Sequence, residues 1–517
     1  MFESEPHPRL LQGLAIAGKM WSSVRVKDRY RHTLIATLIA CVSAIALLIR
    51  PILSMDAGVW GPADPWNNGD FLGAQWLFWA VREPANPTAL LHWPWGEDRL
   101  LSAFPNPFDA LLIGPWVGDV PTHIWWNGMM LGHHLLNIAA TVGLARAAGA
   151  RPVQSAMAGI LVAATPIMLH EHAMGHTLTA ALWPGLFGLR SLLMSRPKTA
   201  GLWIGLQGLA YLYTGLFVGL IALILRPQRG LFTAVIPIIP YAAILAPQLE
   251  AATAVPPPDG FTALPLDAFL GRSSQLQVRL HPLWILAVAG LFMGNRSTRR
   301  LRSRLFWGAL ALLFVALGTA IVPARGMLPI ITSPTAWLVT LPGLERMHHP
   351  IRLAMLAVPL LAIVTAMALN RRRSVWAVGV AVACGFNWKT IDNTAAWPAP
   401  PEPPGAETAR WLAKNADAVV DLGSTHMQAM ALQTIHEKPI LSGFHPRHRP
   451  HPAVDSAVFE RVSGWAQGTQ QPGLSDHLRR LGYTHVVVID RGANRTPDDS
   501  ALRADLGPPV RPGVFAL

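Results

Sequence analysis

Carboxylates crowd the segment between residues 50 and 123, where Asp56, Asp64, Asp70, Glu83, Glu97, Asp98 and Asp109 all lie. The whole chain has only 29 Asp and Glu, so this density is informative. A carboxylate at the rim of an apolar region can take a proton from a hydroxyl, or help to hold a divalent cation. It can equally cap a helix or face water. Asp70 stands out because it follows Asn67-Asn68-Gly69 and opens a stretch with amphipathic helical spacing. It is placed to act as a base, and also to serve as an N-cap.

Two further clusters carry chemistry. His170, Glu171, His172 and His176 lie close together. Met174 stands where a zinc protease helix would need its second histidine, so that reading is weak. His172 and His176 are one helical turn apart, which suits a metal, a substrate phosphate or a wet cavity. Glu345, Arg346, His348, His349 and Arg352 form the second cluster, at the entry to an apolar segment. The planar guanidinium of Arg352 fits a phosphate or pyrophosphate, or it snorkels to a polar boundary. His133 and His134 sit inside an apolar run. Near the C-terminus no nucleophile elbow, Gly-rich phosphate loop or metal spacing appears, and the basic stretch from Gly443 to His451 reads as a solvated loop.

The elements that must position these groups are apolar. Of 517 residues, 51% are hydrophobic and 14% charged, and the mean hydropathy is +0.33. Soluble domains carry about 25% charged residues. The net charge of +13 is spread over short basic clusters between long apolar runs, a positive-inside pattern rather than a nucleic-acid groove. Cys41 and Cys384 both fall in apolar segments, which argues against a disulfide framework.

The chain therefore reads as a polytopic membrane helix bundle of about eleven transmembrane helices, with a small α/β domain at the C-terminus. Residues 1–32 are expected in the cytoplasm and 33–395 in the membrane unit, whose outer loop 50–123 holds interfacial helices at 70–82 and 108–117. Spans are expected at 33–49, 124–145, 153–169, 177–195, 231–246, 282–294, 306–323, 351–369 and 375–388. Segment 199–225 is one long helix or two short ones broken near Leu209 to Tyr213. Two are preferred, because Arg226, Arg229 and every later basic cluster then fall on the inner side. Residues 396–405 form a Pro-rich linker and 406–517 an extracytoplasmic domain. There AVVDLG and THVVVID have the pattern of buried strands, and ETARWLAKN, HMQAMALQTIHE and SDHLRRLGY that of helices.

These features converge on a family resemblance. Asn68-Gly69-Asp70 followed by Trp76 and Trp79 resembles the Gly-Asp and Trp pattern of bacterial GT-C-type membrane glycosyltransferases, and of their relatives with a soluble C-terminal domain. Pro94-Trp95-Gly96-Glu97-Asp98, Gly175-His176 and His349-Pro350-Ile351-Arg352-Leu353 are similar to further short motifs of that group. So are Gln433-Thr434-Ile435-His436 with Lys438-Pro439, and Thr484 to Val488. An Asn common four positions after the Asp is Ala74 here.

The resemblance implies an inverting transfer of a sugar from a polyprenyl-phosphate donor to an extracytoplasmic glycan, lipid or protein acceptor. Asp70 would be the base. Asp64, Glu97 and Asp98 would support the acceptor or a divalent cation, although no metal is firmly implied. His172, His176, His349 and Arg352 would contact the donor phosphate. The alternative is a non-enzymatic transporter, flippase or polysaccharide-assembly scaffold; the lack of an inverted repeat and the scarcity of deep ionisable residues stand against a transporter, while the departure at Ala74 fits a scaffold.

Overall fold

The computed structural model describes residues 30–46, 52, 72, 76, 78–80, 108–109, 113–114, 116, 120, 122–173, 180–240, 283–292, 298–318, 320–321, 331–333, 337–338, 352–369, 402–422, 426–441, 456–488 and 499–517. A first helix runs over residues 30–46. The bundle then contains α1 (Thr122–Ala147), α2 (Pro152–Ala163), α3 (Pro166–Ala173), α4 (Trp183–Leu193), α5 (Pro197–Ala210), α6 (Leu212–Leu225), a 3₁₀ turn (Arg229–Ala234), α7 (Leu283–Phe292), α8 (Arg299–Ala316) and α9 (Leu353–Ala368). Every residue of α9 is buried, so this helix is the axis of the core and packs against α2, α7 and α8.

The break near Tyr211 is present. Tyr211 is extended (φ −157°, ψ 112°), and α6 folds back along α5. A Cβ on Gly215 would collide with the backbone of Gly208, so glycine at both positions allows this close return. Arg226 Nη1 then donates to Ser195 Oγ at 2.8 Å, which brings the two basic ends of the hairpin together.

Other expectations needed correction. The single span expected at 153–169 is two helices. Pro166 lacks an N–H and disfavours a helical Thr165, so α2 stops and α3 begins. Its continuation also takes residues 170–173 into α3, beyond the expected end at residue 169. The helix expected at 306–323 starts earlier, at Arg299, and ends earlier, at Ala316. Gly318 closes it at φ +71° with its N–H on Val315 O at 3.0 Å. A short antiparallel pair follows, β1 (Ala320–Ile321) with β2 (Ile331–Thr332). The early start of α8 has a reason. Buried Arg302 donates to Gly290 O at 3.1 Å and Arg304 to Leu225 O at 2.6 Å, so arginines of this cluster neutralise the carbonyl ends of α7 and α6.

No helix among the described residues is long and apolar enough to cross a membrane, so the expected count of eleven spans is not met by them. The hairpin helices are too short: α6 has 14 residues, about 21 Å at 1.5 Å per residue, against a hydrocarbon core of about 30 Å. The segment 375–388 lies outside the described residues.

The C-terminal unit comprises α10 (Ala406–Asn415), β3 (Val419–Asp421), α11 (His426–His436), α12 (Ser456–Ala466), α13 (Leu474–Arg480), β4 (His485–Val487), α14 (Ser500–Leu506) and β5 (Val514–Ala516). The sheet order is β3-β4-β5, with β3 parallel to β4 and β5 antiparallel to it. Ile440 adds a parallel bridge on the free side of β3. One face of the sheet packs Trp465, Leu474, Leu478, Tyr483 and Phe515. The other packs Leu412, Met430 and two tryptophans from the distant loop, Trp76 and Trp79. Helices α12 and α14 have no counterpart in the sequence reading.

Candidate functional site

The helical residues at 72, 76 and 78–80 belong to the stretch that Asp70 opens. They were expected to lie on a membrane interface. Instead they are buried, wedged between the bundle and the C-terminal unit. Leu72 and Phe78 share a cluster with Trp126, Met129, Met130, Leu169 and Ala431, while Trp76, Trp79 and Ala80 join the core of the sheet. Trp76 Nε1 donates to Gln433 Oε1 at 2.8 Å, with both side chains almost fully buried. Gln433 Nε2 in turn donates to Lys438 O at 3.0 Å. The backbone N–H of Lys438 donates to His436 Nδ1 at 3.0 Å, which requires that nitrogen to be unprotonated. Burial, helped by Lys438, pushes His436 down to about 3. The Gln-x-x-His-x-Lys motif thus forms a latch on the loop helix.

A second assembly lies where the helix expected at 108–117 enters the bundle. Asp109 is buried with its Oδ1 3.1 Å from His133 Nε2. Trp183 Nε1 donates to His133 Nδ1 at 3.1 Å, so the ring proton of neutral His133 sits on Nε2, facing Asp109. Two buried amides fix Trp183 in place. Asn137, one turn beyond His133, donates to Ala180 O and accepts from the Leu182 N–H. Gln207 accepts from the Gly185 N–H and donates to Ala181 O. The sequence reading named Asp109 and His133 but not this pairing, nor Trp183.

The third assembly joins two of the sequence clusters. Arg352, at the N-cap of α9, lies with Nε 3.8 Å from Glu171 Oε2 on α3, and both side chains are about one-tenth exposed. That separation is beyond a hydrogen bond, so it is an ionic contact that a stronger anion can replace. Glu171 adjoins His172, whose backbone is part of α3. Leu169, two residues before Glu171, belongs to the same packed cluster as Leu72, two residues after Asp70. Neighbours of all three sequence clusters therefore meet. Asp64, Asp70, Glu97, Asp98, His176 and His349 lie outside the described residues, as does the side chain of His172. Among the described residues, no group of three or more His, Cys, Asp or Glu is arranged to hold a metal ion.

The fold has a known parallel. It is similar to an arabinofuranosyltransferase, AftD, from mycobacteria: TM-score 0.51 and 18% identity, over 89% of this chain and 37% of that one. The chain thus spans little more than a third of that protein. An oligosaccharyltransferase from Archaeoglobus fulgidus aligns with TM-score 0.49 and 12% identity, over 88% of this chain and 69% of that one. No family model matches the sequence, and no curated protein matches it. The likeness is one of fold, a mainly helical body with a small sheet.

Glu171 is the residue whose role sequence reasoning missed. It was visible within the histidine cluster, but nothing local tied it to a guanidinium 181 positions away.

Proposed function

We propose that this chain is an integral-membrane glycosyltransferase that uses a polyprenyl-phosphate-linked sugar. The reading rests on one observation: Leu72, two residues after Asp70, packs with Leu169 on α3, and Glu171 on α3 faces Arg352 at the head of α9. A fold shared with a glycosyltransferase supports it. Membrane placement is supported by apolar side chains turned outward along single helix faces. These include Leu34, Ile35, Leu38, Ile39 and Val42 on the first helix, and Leu212, Leu216, Leu220 and Leu223 on α6. Such stripes are costly in water and neutral in lipid. In this placement the first residues are cytoplasmic and the sheet unit extracytoplasmic.

The acceptor oxygen attacks the anomeric carbon while its proton passes to the Asp70 carboxylate. The bond from that carbon to the phosphate oxygen breaks, the configuration inverts, and polyprenyl phosphate leaves with the electron pair. Arg352, His172, His176 and His349 stabilise the charge that develops on the phosphate. Asp64, Glu97 and Asp98 orient the acceptor or hold a divalent cation. Glu171 keeps Arg352 in place until the phosphate arrives.

The test is transfer from a radiolabelled polyprenyl-phosphate sugar in membranes containing the chain, compared with Asp70→Asn. Loss of at least about 10³-fold at unchanged abundance and melting temperature is expected. Retention of more than a tenth of the rate would remove Asp70 as the base.

A further inference from the structure

The hairpin leaves a slot. Helix α6 and the 3₁₀ turn both pack on α5 without closing on one another, and between them lies a groove of about 560 Å³, within the range of about 300–1,000 Å³ of small-ligand sites. Its walls are apolar, with Ile204, Gly208, Leu216, Gly219, Leu223 and Phe232 among them. Arg229 and Gln228 line the end of the groove away from the Tyr211 turn. Lys198 and Arg226 belong to that same end, since Thr233 Oγ1 on the 3₁₀ turn donates to Lys198 O at 2.6 Å and Arg226 bonds Ser195. No Asp or Glu occurs between Glu171 and Glu250 to offset these charges. The carbonyl end of α6, which would repel an anion, is already neutralised by Arg304 on Leu225 O.

An apolar slot that ends in cations with no carboxylate partner among the described residues matches a molecule with a long apolar tail and an anionic head. The cations lie at the opposite end of the hairpin from Trp183 and the Asp109–His133 pair. We propose that the groove holds one acyl chain of an anionic phospholipid, drawn from the leaflet opposite the sugar-transfer site, with its phosphate seated on Arg229. The proposal rests on the membrane placement above, not on the transfer chemistry.

The experiment uses the full chain in nanodiscs of phosphatidylcholine, doped with phosphatidylglycerol or with a polyprenyl phosphate. Lipid retained after detergent release is read by native mass spectrometry. One phosphatidylglycerol is expected to remain bound, with roughly tenfold preference over phosphatidylcholine from the cationic end. Arg229→Gln should cut the preference to about threefold or less. Gly219→Leu should abolish retention: the nearest atom to a Cβ there is Ile204 Cγ2 at 3.8 Å, so the new side chain enters the slot without a clash. Equal retention of both phospholipids, retention that survives Gly219→Leu, or a preference for polyprenyl phosphate would each overturn the proposal. Alkaline extraction of the same membranes separates the two failures. A chain released into the aqueous phase sinks the membrane placement as well, whereas one that stays in the pellet yet holds no phosphatidylglycerol sinks this proposal alone.

Discussion

Replacing Gln433 with leucine cuts the latch between the C-terminal unit and the loop helix at a single atom pair. Gln433 is fully buried, accepts from Trp76 Nε1 at 2.8 Å and donates to Lys438 O at 3.0 Å. Leucine supplies neither group. Each buried partner left without a hydrogen bond costs about 1–3 kcal/mol, so Gln433→Leu should destabilise the chain by roughly 2–5 kcal/mol. Trp76→Phe removes the N–H along with part of a buried ring, at about 1–3 kcal/mol. If the Trp76–Gln433 bond matters as a pair, the double variant must be less damaging than the sum. Once the indole is gone, leucine at 433 strands only Lys438 O, and the coupling should be about 1–2 kcal/mol. Chemical unfolding in mild detergent, followed by tryptophan fluorescence, gives the four free energies of the cycle. Transfer assays on the same four proteins report on Asp70, because a loop helix that drifts moves the proposed base. Effects that add to within about 0.5 kcal/mol would refute the reasoning.

Other substitutions have distinct expected outcomes. Arg352→Ala removes the cation facing nearly buried Glu171 and should lower stability by up to about 3 kcal/mol. Glu171→Gln with Arg352→Met should recover most of that stability by thermal unfolding but none of the transfer, which separates phosphate binding from simple packing. His436 has a folded pKa of about 3 against an ordinary 6.5, so its neutral form stabilises the fold fully above 6.5 and progressively less as pH falls towards 3. At pH 5 the loss relative to neutrality is about 2 kcal/mol, and His436→Gln should flatten that slope in denaturant titrations read against pH. Trp183→Phe frees His133 Nδ1 and should shift its ¹⁵N chemical shifts, because the donor that set the tautomer is gone. His133→Ala removes a partner of buried Asp109 and should lower stability by about 3 kcal/mol, measured by thermal unfolding.

The helix hairpin was legible from charge alone. Requiring Arg226 and Arg229 to lie on the side of Arg196 and Lys198 demanded a break near Tyr211, and Arg226 does meet Ser195. The strands at 419–421 and 485–487 were legible as short β-branched runs, and the helices at 406–415, 426–436 and 474–480 by their period. Hydropathy misplaced the start of α8. A window scan excludes Arg299 to Arg304, whereas the chain uses two of these arginines to satisfy carbonyls of α6 and α7. The interfacial reading of the loop helix failed for a related reason. An amphipathic segment reveals that it has an apolar face but not what covers it, and here the cover is α11, more than 350 positions away.

The same distinction governs the site. Residue types that bear chemistry are visible one at a time, and Arg352 was found because a guanidinium at the head of an apolar helix is expensive. Its environment is a property of the fold, since Glu171 comes from another helix and another cluster. The pairing changes what Arg352 can do. The Arg352 and Glu171 side chains, 3.8 Å apart, attract one another by charge rather than by a direct hydrogen bond, so an anionic phosphate that offers shorter bonds to the guanidinium competes for it. Once displaced, the Glu171 carboxylate lies beside the newly bound anion and repels it. In the proposed reaction that repulsion would favour departure of the phosphate product after transfer, so Glu171→Gln should tighten product binding and lower kcat while leaving the first turnover unchanged. A single-turnover measurement set beside the steady-state rate decides it: equal losses in both would mean that Glu171 serves only to hold Arg352.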